Sequence, residues 1–157
     1  MLAPLAVVLL GMLHPISIDT PSLPPDVAIE SEVASDPRVR QYLWGLLRDA
    51  FYGHAIFEEA AFVVRNAHGQ LGIVRWPSAG IPHQSRWRGS FPKGTVAIAH
   101  THPNGFPEPS RADKRTAQTG RVPVYVLTRM KITKTTGEAS ITIVRGDWNP
   151  AAARAMR

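Results

Sequence analysis

Apolar residues recur at helical spacing between Val39 and Phe51, at Val39, Tyr42, Leu43, Leu46, Leu47, Ala50 and Phe51. That period predicts an amphipathic helix whose stripe packs on a sheet. Ser35-Asp36-Pro37 supplies a capping side chain and a proline for the first turn, and Gly53 supplies a stop. Beyond it the pattern changes to short runs rich in β-branched residues. Glu59 to Arg65 and Leu71 to Trp76 read as strands. Asn66-Ala67-His68-Gly69 joins them, and Asn and Gly tolerate the positive φ of a tight hairpin turn. Pro77 to Lys93 is a loop of Pro, Gly, Ser and Arg. Thr95 to Thr101 is a short apolar strand, expected to be buried on both faces. Ser110 to Thr119 reads as a second helix stopped by Gly120, and Val122 to Thr128 as a further strand. Lys131 to Lys134 and Ala139 to Val144 flank Thr136-Gly137 and form a last hairpin. The sum is an α/β domain with one mixed, largely antiparallel sheet and helices packed on it.

The N-terminal stretch breaks this pattern. Leu2 to Leu13 is apolar apart from Pro4 and Gly11. It is too short to span a bilayer as a helix, so no stable membrane span is expected. Its length suits the apolar region of an export signal. No Lys or Arg precedes it and no small-x-small cleavage site follows, so an apolar arm lying on the domain is the competing reading. From His14 to Asp26 the chain holds Pro15, Pro21, Pro24 and Pro25, a linker composition. Residues 1–26 therefore read as a signal-like segment and linker, and residues 27–157 as the domain.

Length and composition narrow the chemistry. A chain of 157 residues suffices for one core, and 44% hydrophobic residues fit a globular protein. There is no cysteine, so any metal must be held by His, Asp or Glu. The formal charge is +6. The Arg and Lys residues are scattered, and no motif reads a nucleic acid, so no nucleic-acid partner is expected.

The informative stretch runs from Ala99 to Asp113, Ala-His-Thr-His-Pro-Asn-Gly-Phe-Pro-Glu-Pro-Ser-Arg-Ala-Asp. His100 and His102 are two apart on a strand, so both imidazoles point to one face. Pro103 ends the strand beside them. A loop restricted by prolines leads into a helix whose first turn carries Asp113. Two imidazoles and a carboxylate suit a zinc ion with one position left for water. Each piece has a plainer reading. Histidines at this spacing are common in strands, and Ser110-x-x-Asp113 is also a capping box. Taken together those readings lose ground, because an apolar strand ending in two histidines would bury polar nitrogens without structural gain.

At these residues the chain resembles the JAMM (MPN+, JAB domain) zinc metallopeptidases, whose signature is H-x-H-P followed by S-x-x-D with ten residues between the second His and the Asp. His100, His102, Pro103, Ser110 and Asp113 match it. The loop is similar to that of bacterial RadC-like proteins. The resemblance implies a single MPN/JAB-like fold, related to that of cytidine deaminases, and zinc on His100, His102 and Asp113. It also implies a general-base glutamate from the strand after the first helix. Aligning Glu58-Glu59-Ala60-Ala61 on the small residues makes Glu58 that glutamate, with Glu59 as competitor and alanines where glycine is common. Ser110 would stabilise the oxyanion. The implied activity is hydrolysis of a peptide or isopeptide bond in a protein or peptide substrate. Arg86, Trp87, Arg88 and Lys93 in the loop suit an acidic or extended partner, and equally a solvated rim. A non-catalytic MPN scaffold or binding module is the alternative, although such members usually lack ligands. A zinc deaminase is excluded by the absence of cysteine. His14, His54, His68 and His83 lie in no ligand pattern and are expected to have no functional role.

Overall fold

Asp36 starts the first helix, α1 (Pro37–Asp49), by accepting the N–H groups of Arg38 and Val39 at 2.8 and 3.3 Å. Pro37 sits in the first turn, where its missing N–H costs nothing. In this computed structural model, Val33, residues 36–77 and residues 79–151 are described. The expected export signal and linker lie outside them. The buried stripe of α1 is Val39, Leu43, Leu46 and Leu47, narrower than the sequence period suggested. Tyr42 and Phe51 are 58% and 71% exposed. Tyr42 lies at the margin of the stripe. Phe51 lies past the helix end, in a 3-10 turn (Phe51–Gly53) where φ is positive at Phe51, Tyr52 and Gly53 and swings the chain off the helical path.

Six strands follow: β1 (Ala60–Arg65), β2 (Leu71–Arg75), β3 (Thr95–Thr101), β4 (Val124–Thr128), β5 (Lys131–Thr135) and β6 (Ser140–Arg145). They form one sheet in the order β2-β1-β3-β4-β5-β6. The β3–β4 pair is parallel and the other four pairs are antiparallel. A parallel pair needs a crossover, and the second helix, α2 (Arg111–Gly120), supplies it. Gly120 is the last helical residue, and Arg121 takes the left-handed cap with φ 53°. Among the described residues, no helix is long and apolar enough to cross a membrane.

Strand alternation divides the core between the two faces of the sheet. Ala61, Val63, Ala97, Ala99, Tyr125 and Leu127 pack with Val33 and the stripe of α1. Phe62, Ile98 and Val124 face the other way, with Ala117 of α2. Trp76 and Trp87 close that second cluster, and Trp87 meets Phe62 edge-on at 5.0 Å. Phe62 is fully buried, a burial that contributes about 1.5–3 kcal/mol. Through Trp87 the long loop after β2 is held against the sheet. After β6, Trp148 returns to the α1 side and donates its indole N–H to the Thr128 carbonyl at 2.7 Å.

Candidate metal centre

The site forms where β3 ends and α2 begins. Ile98 and His100 share the α2 face of β3, and His102 continues it one residue past the strand. His100 is paired across the sheet with Ala60 of β1 and Val126 of β4, and is 5% exposed. The small Ala60 leaves room beside the imidazole. Pro103–Gly105 form a 3-10 turn with positive φ at Asn104, which folds the loop back. Gly53 backs this turn: a Cβ there would stand 3.2 Å from the His102 carbonyl oxygen. The loop then delivers Ser110, the N-cap of α2.

Three side chains converge. His100 Nε2 lies 3.3 Å from Asp113 Oδ1, and His102 Nε2 lies 3.5 Å from Asp113 Oδ2. One ligand atom from each residue fits within a 4.8 Å group. Tetrahedral zinc with bonds of about 2.0–2.1 Å separates neighbouring ligand atoms by about 3.3 Å, a scale this cluster meets, with each imidazole beside a different oxygen of Asp113. His100 Nε2 is buried and has no hydrogen-bond partner among the described residues. A polar nitrogen in that position costs free energy unless something binds it. His102 Nδ1 lies 2.9 Å from the Phe106 carbonyl. A carbonyl can only accept, so Nδ1 carries a proton; Nε2 donates to Asp113 when the ring is charged and is the nitrogen left for a metal once that proton is released. The donor set therefore fits a metal ion.

Electrostatics follow from the same contacts. Burial drives the His100 pKa down; Asp113 and Glu58 oppose this, and His102 adds to it. Burial also opposes charge on His102, but the hydrogen bond and the charge of Asp113 outweigh it, with help from the Phe106 carbonyl and Glu58, and its pKa rises. Burial would raise Asp113. Contacts with His102, His100 and Ser110 outweigh that and hold it well below the usual carboxylate range.

Asp113 is both a cap and a candidate ligand, roles the sequence had set against each other. Oδ2 accepts the Ser110 N–H at 2.6 Å, and the Asp113 N–H donates to Ser110 Oγ at 3.2 Å. That box orients the carboxylate and leaves it facing both imidazoles. The Ser110 hydroxyl accepts with one lone pair and keeps its proton. The Asp113 carboxylate and any oxyanion would compete for that proton.

Glu58 lines the same cleft, of about 590 Å³, with His100, His102, Ser110 and Asp113. Glu59 does not line it; its carboxylate is 2.7 Å from Arg75. Glu108 also lies apart, paired with Lys131 at 2.9 Å. The far wall of the cleft is His83, Gln84, Ser85 and Arg86. His83, for which no functional role is expected, thus lines the cleft without belonging to the His-His-Asp cluster. Its loop has no period, and only contact in space brings it there: the His83 N–H donates to the Ile56 carbonyl at 2.7 Å, two residues before Glu58.

Fold and cluster together define an α/β domain with a His-His-Asp site that could hold a metal ion. The profile of the family of prokaryotic homologs of the JAB domain matches residues 55–144, more than half of the chain, and the chain belongs to that family. No curated protein and no solved structure was found to match it.

Proposed function

We propose that this protein is a zinc-dependent hydrolase of amide bonds, peptide or isopeptide, with Glu58 as general base. One observation carries the reading. Glu58 opens on the same cleft as three potential ligands without being among them. A cluster serving structure alone would normally be closed by four protein ligands.

His100, His102 and Asp113 would hold the ion, which when bound supplies an activated water and polarises the scissile carbonyl. Glu58 takes a proton from the attacking water and returns it to the leaving amine. Ser110 donates its hydroxyl proton to the oxygen on which charge develops. His102 keeps its tautomer through Phe106, so its Nε2 stays available.

The substrate is proposed to be an acidic peptide or protein segment. Arg86 and Trp76 line both the cleft and a neighbouring groove of about 700 Å³, which continues over Trp87 to Arg88. No ion pair engages Arg86 or Arg88 among the described residues. A cationic groove with aromatic walls favours carboxylate-bearing side chains.

The test is incubation of the zinc-loaded protein with a synthetic peptide library bearing acidic residues around the scissile bond. Cleavage is read by mass spectrometry, with Glu58→Gln as control. Products from the wild type alone support the reading. A zinc-replete wild type that cuts nothing, or an equally active Glu58→Gln, overturns it.

A further inference from the structure

Glu58 precedes β1, which starts at Ala60; the register of the strand sets the face it takes and leaves its carboxylate to be placed by side-chain contacts. A base must nevertheless present one carboxylate oxygen to the water at a fixed place. One side-chain contact performs this. The Ser85 hydroxyl lies 3.2 Å from Glu58 Oε2. We propose that Ser85 is a positioning residue for Glu58, holding Oε2 so that Oε1 is left for the proton transfer. This rests on the hydrolase reading above.

Three features make Ser85 a firm anchor and not a passing neighbour. Ser85 is half-buried in the wall of the cleft, between His83 and Trp87. His83 on one side is fixed by its N–H to the Ile56 carbonyl at 2.7 Å. Trp87 on the other is fixed by its edge-on contact with Phe62. The loop is thus tied down two residues either side of Ser85. The hydroxyl proton has Glu58 as its one described acceptor.

The contrast with Glu59 shows what the serine contributes. Glu59 is clamped by the guanidinium of Arg75, which uses up its charge in a second pair with Asp49. Glu58 has a neutral donor that orients it and leaves the second oxygen open. The loop thereby does more than wall the cleft: it connects the groove carrying Arg86 with the base through adjacent residues of the chain.

The experiment uses the full zinc-loaded chain with carboxyl-¹³C glutamate. Glu58→Gln identifies the Glu58 resonance. Ser85→Ala should shift that resonance and leave zinc content and melting unchanged, and Ser85→Thr should restore it. On the best-cleaved library peptide, Ser85→Ala should lower kcat by roughly ten- to a hundredfold with KM nearly constant, and Ser85→Thr should recover most of the rate. A Glu58 resonance indifferent to Ser85→Ala overturns the contact. A shifted resonance with full kcat overturns the positioning role. Neither outcome touches the hydrolase reading, which fails by a different result: a zinc-replete wild type without activity, which removes the catalytic purpose of the contact as well.

Discussion

Glu58 and Glu59 are neighbours in the chain and lie on opposite faces of the sheet. Glu58 shares the parity of Ala60 and Phe62 and opens on the cleft with His100, whereas Glu59 shares that of Ala61 and reaches Arg75. A single-residue shift in the β1 register would exchange them. Glu58→Gln is expected to retain zinc and fold and to lose hydrolysis by at least roughly a hundredfold. Glu59→Gln breaks a partly exposed ion pair and should cost about 0.2–1 kcal/mol with activity kept. Paired rate and melting measurements decide. The opposite pattern would transfer the base to Glu59.

Zinc binding should depend on pH with a slope near one proton. Asp113 has a depressed pKa and His100 a lowered one, so both are free of protons near neutrality. His102 has a raised pKa, so it is the ligand that must release a proton. Affinity should therefore be level above the His102 pKa. It should fall by about tenfold per pH unit below it, beginning at higher pH than for an ordinary imidazole. In the metal-free chain the sign reverses. The Asp113–His102 contact stabilises fully below the unfolded His pKa of about 6.5 and is lost as pH rises through the higher folded value. Competitive chelator titrations across pH check the first statement, and melting of metal-free protein the second. Two protons released near neutrality would mean that His100 is charged.

Ser110→Ala removes the acceptor of the Asp113 N–H. The lost cap should cost about 1 kcal/mol. If the hydroxyl also serves the oxyanion, kcat should fall by roughly a hundredfold or more. Zinc should stay, because the Ser110 N–H still holds Asp113 Oδ2. A stability loss with unchanged kcat would leave Ser110 as a cap alone.

Gly53→Ala should destabilise by about 1 kcal/mol or more, since φ there is +88°. The added Cβ would also press on the His102 carbonyl oxygen, so zinc affinity should weaken together with stability. Melting and chelator competition on the same protein measure both. Wild-type zinc affinity in the Gly53→Ala variant would show that Gly53 serves the turn only.

A chain beginning at Val27 should melt within a few degrees of the full one, because it keeps Val33, which is fully buried against α1. Removing Val33 as well should cost roughly 1–3 kcal/mol in lost apolar burial. A large loss on removing residues 1–26 alone would place part of that stretch in the core.

The helices and strands were legible because their apolar residues follow periods of 3.6 and 2. The convergence of His100, His102 and Asp113 was legible because strand parity and a helix cap leave little freedom between them. Tyr42 and Phe51 were assigned to the buried stripe and are exposed, since periodicity cannot tell a stripe's margin from its centre or foresee the positive φ at Phe51. The wall from His83 to Arg86 was not legible as part of the cleft. A loop has no period, and its position depends on Trp87 finding Phe62 across the sequence. Trp148 gave no pattern either, and it docks through one hydrogen bond to Thr128.

Helix α2 buries only Asp113 and Ala117. Lys114, Thr116 and Gly120 are only half-buried and the other five residues are exposed, a thin attachment for ten residues. An ion joining Asp113 to the two histidines would act as a clasp between helix and strand, and part of its binding free energy would become local folding free energy. Amide protons of α2 should then exchange freely in metal-free protein and slow markedly when zinc is added, while those of β3 and β4 change little. Metal supply would in that way govern the lifetime of one helix and, through it, the susceptibility of the loop before it to proteolytic nicking.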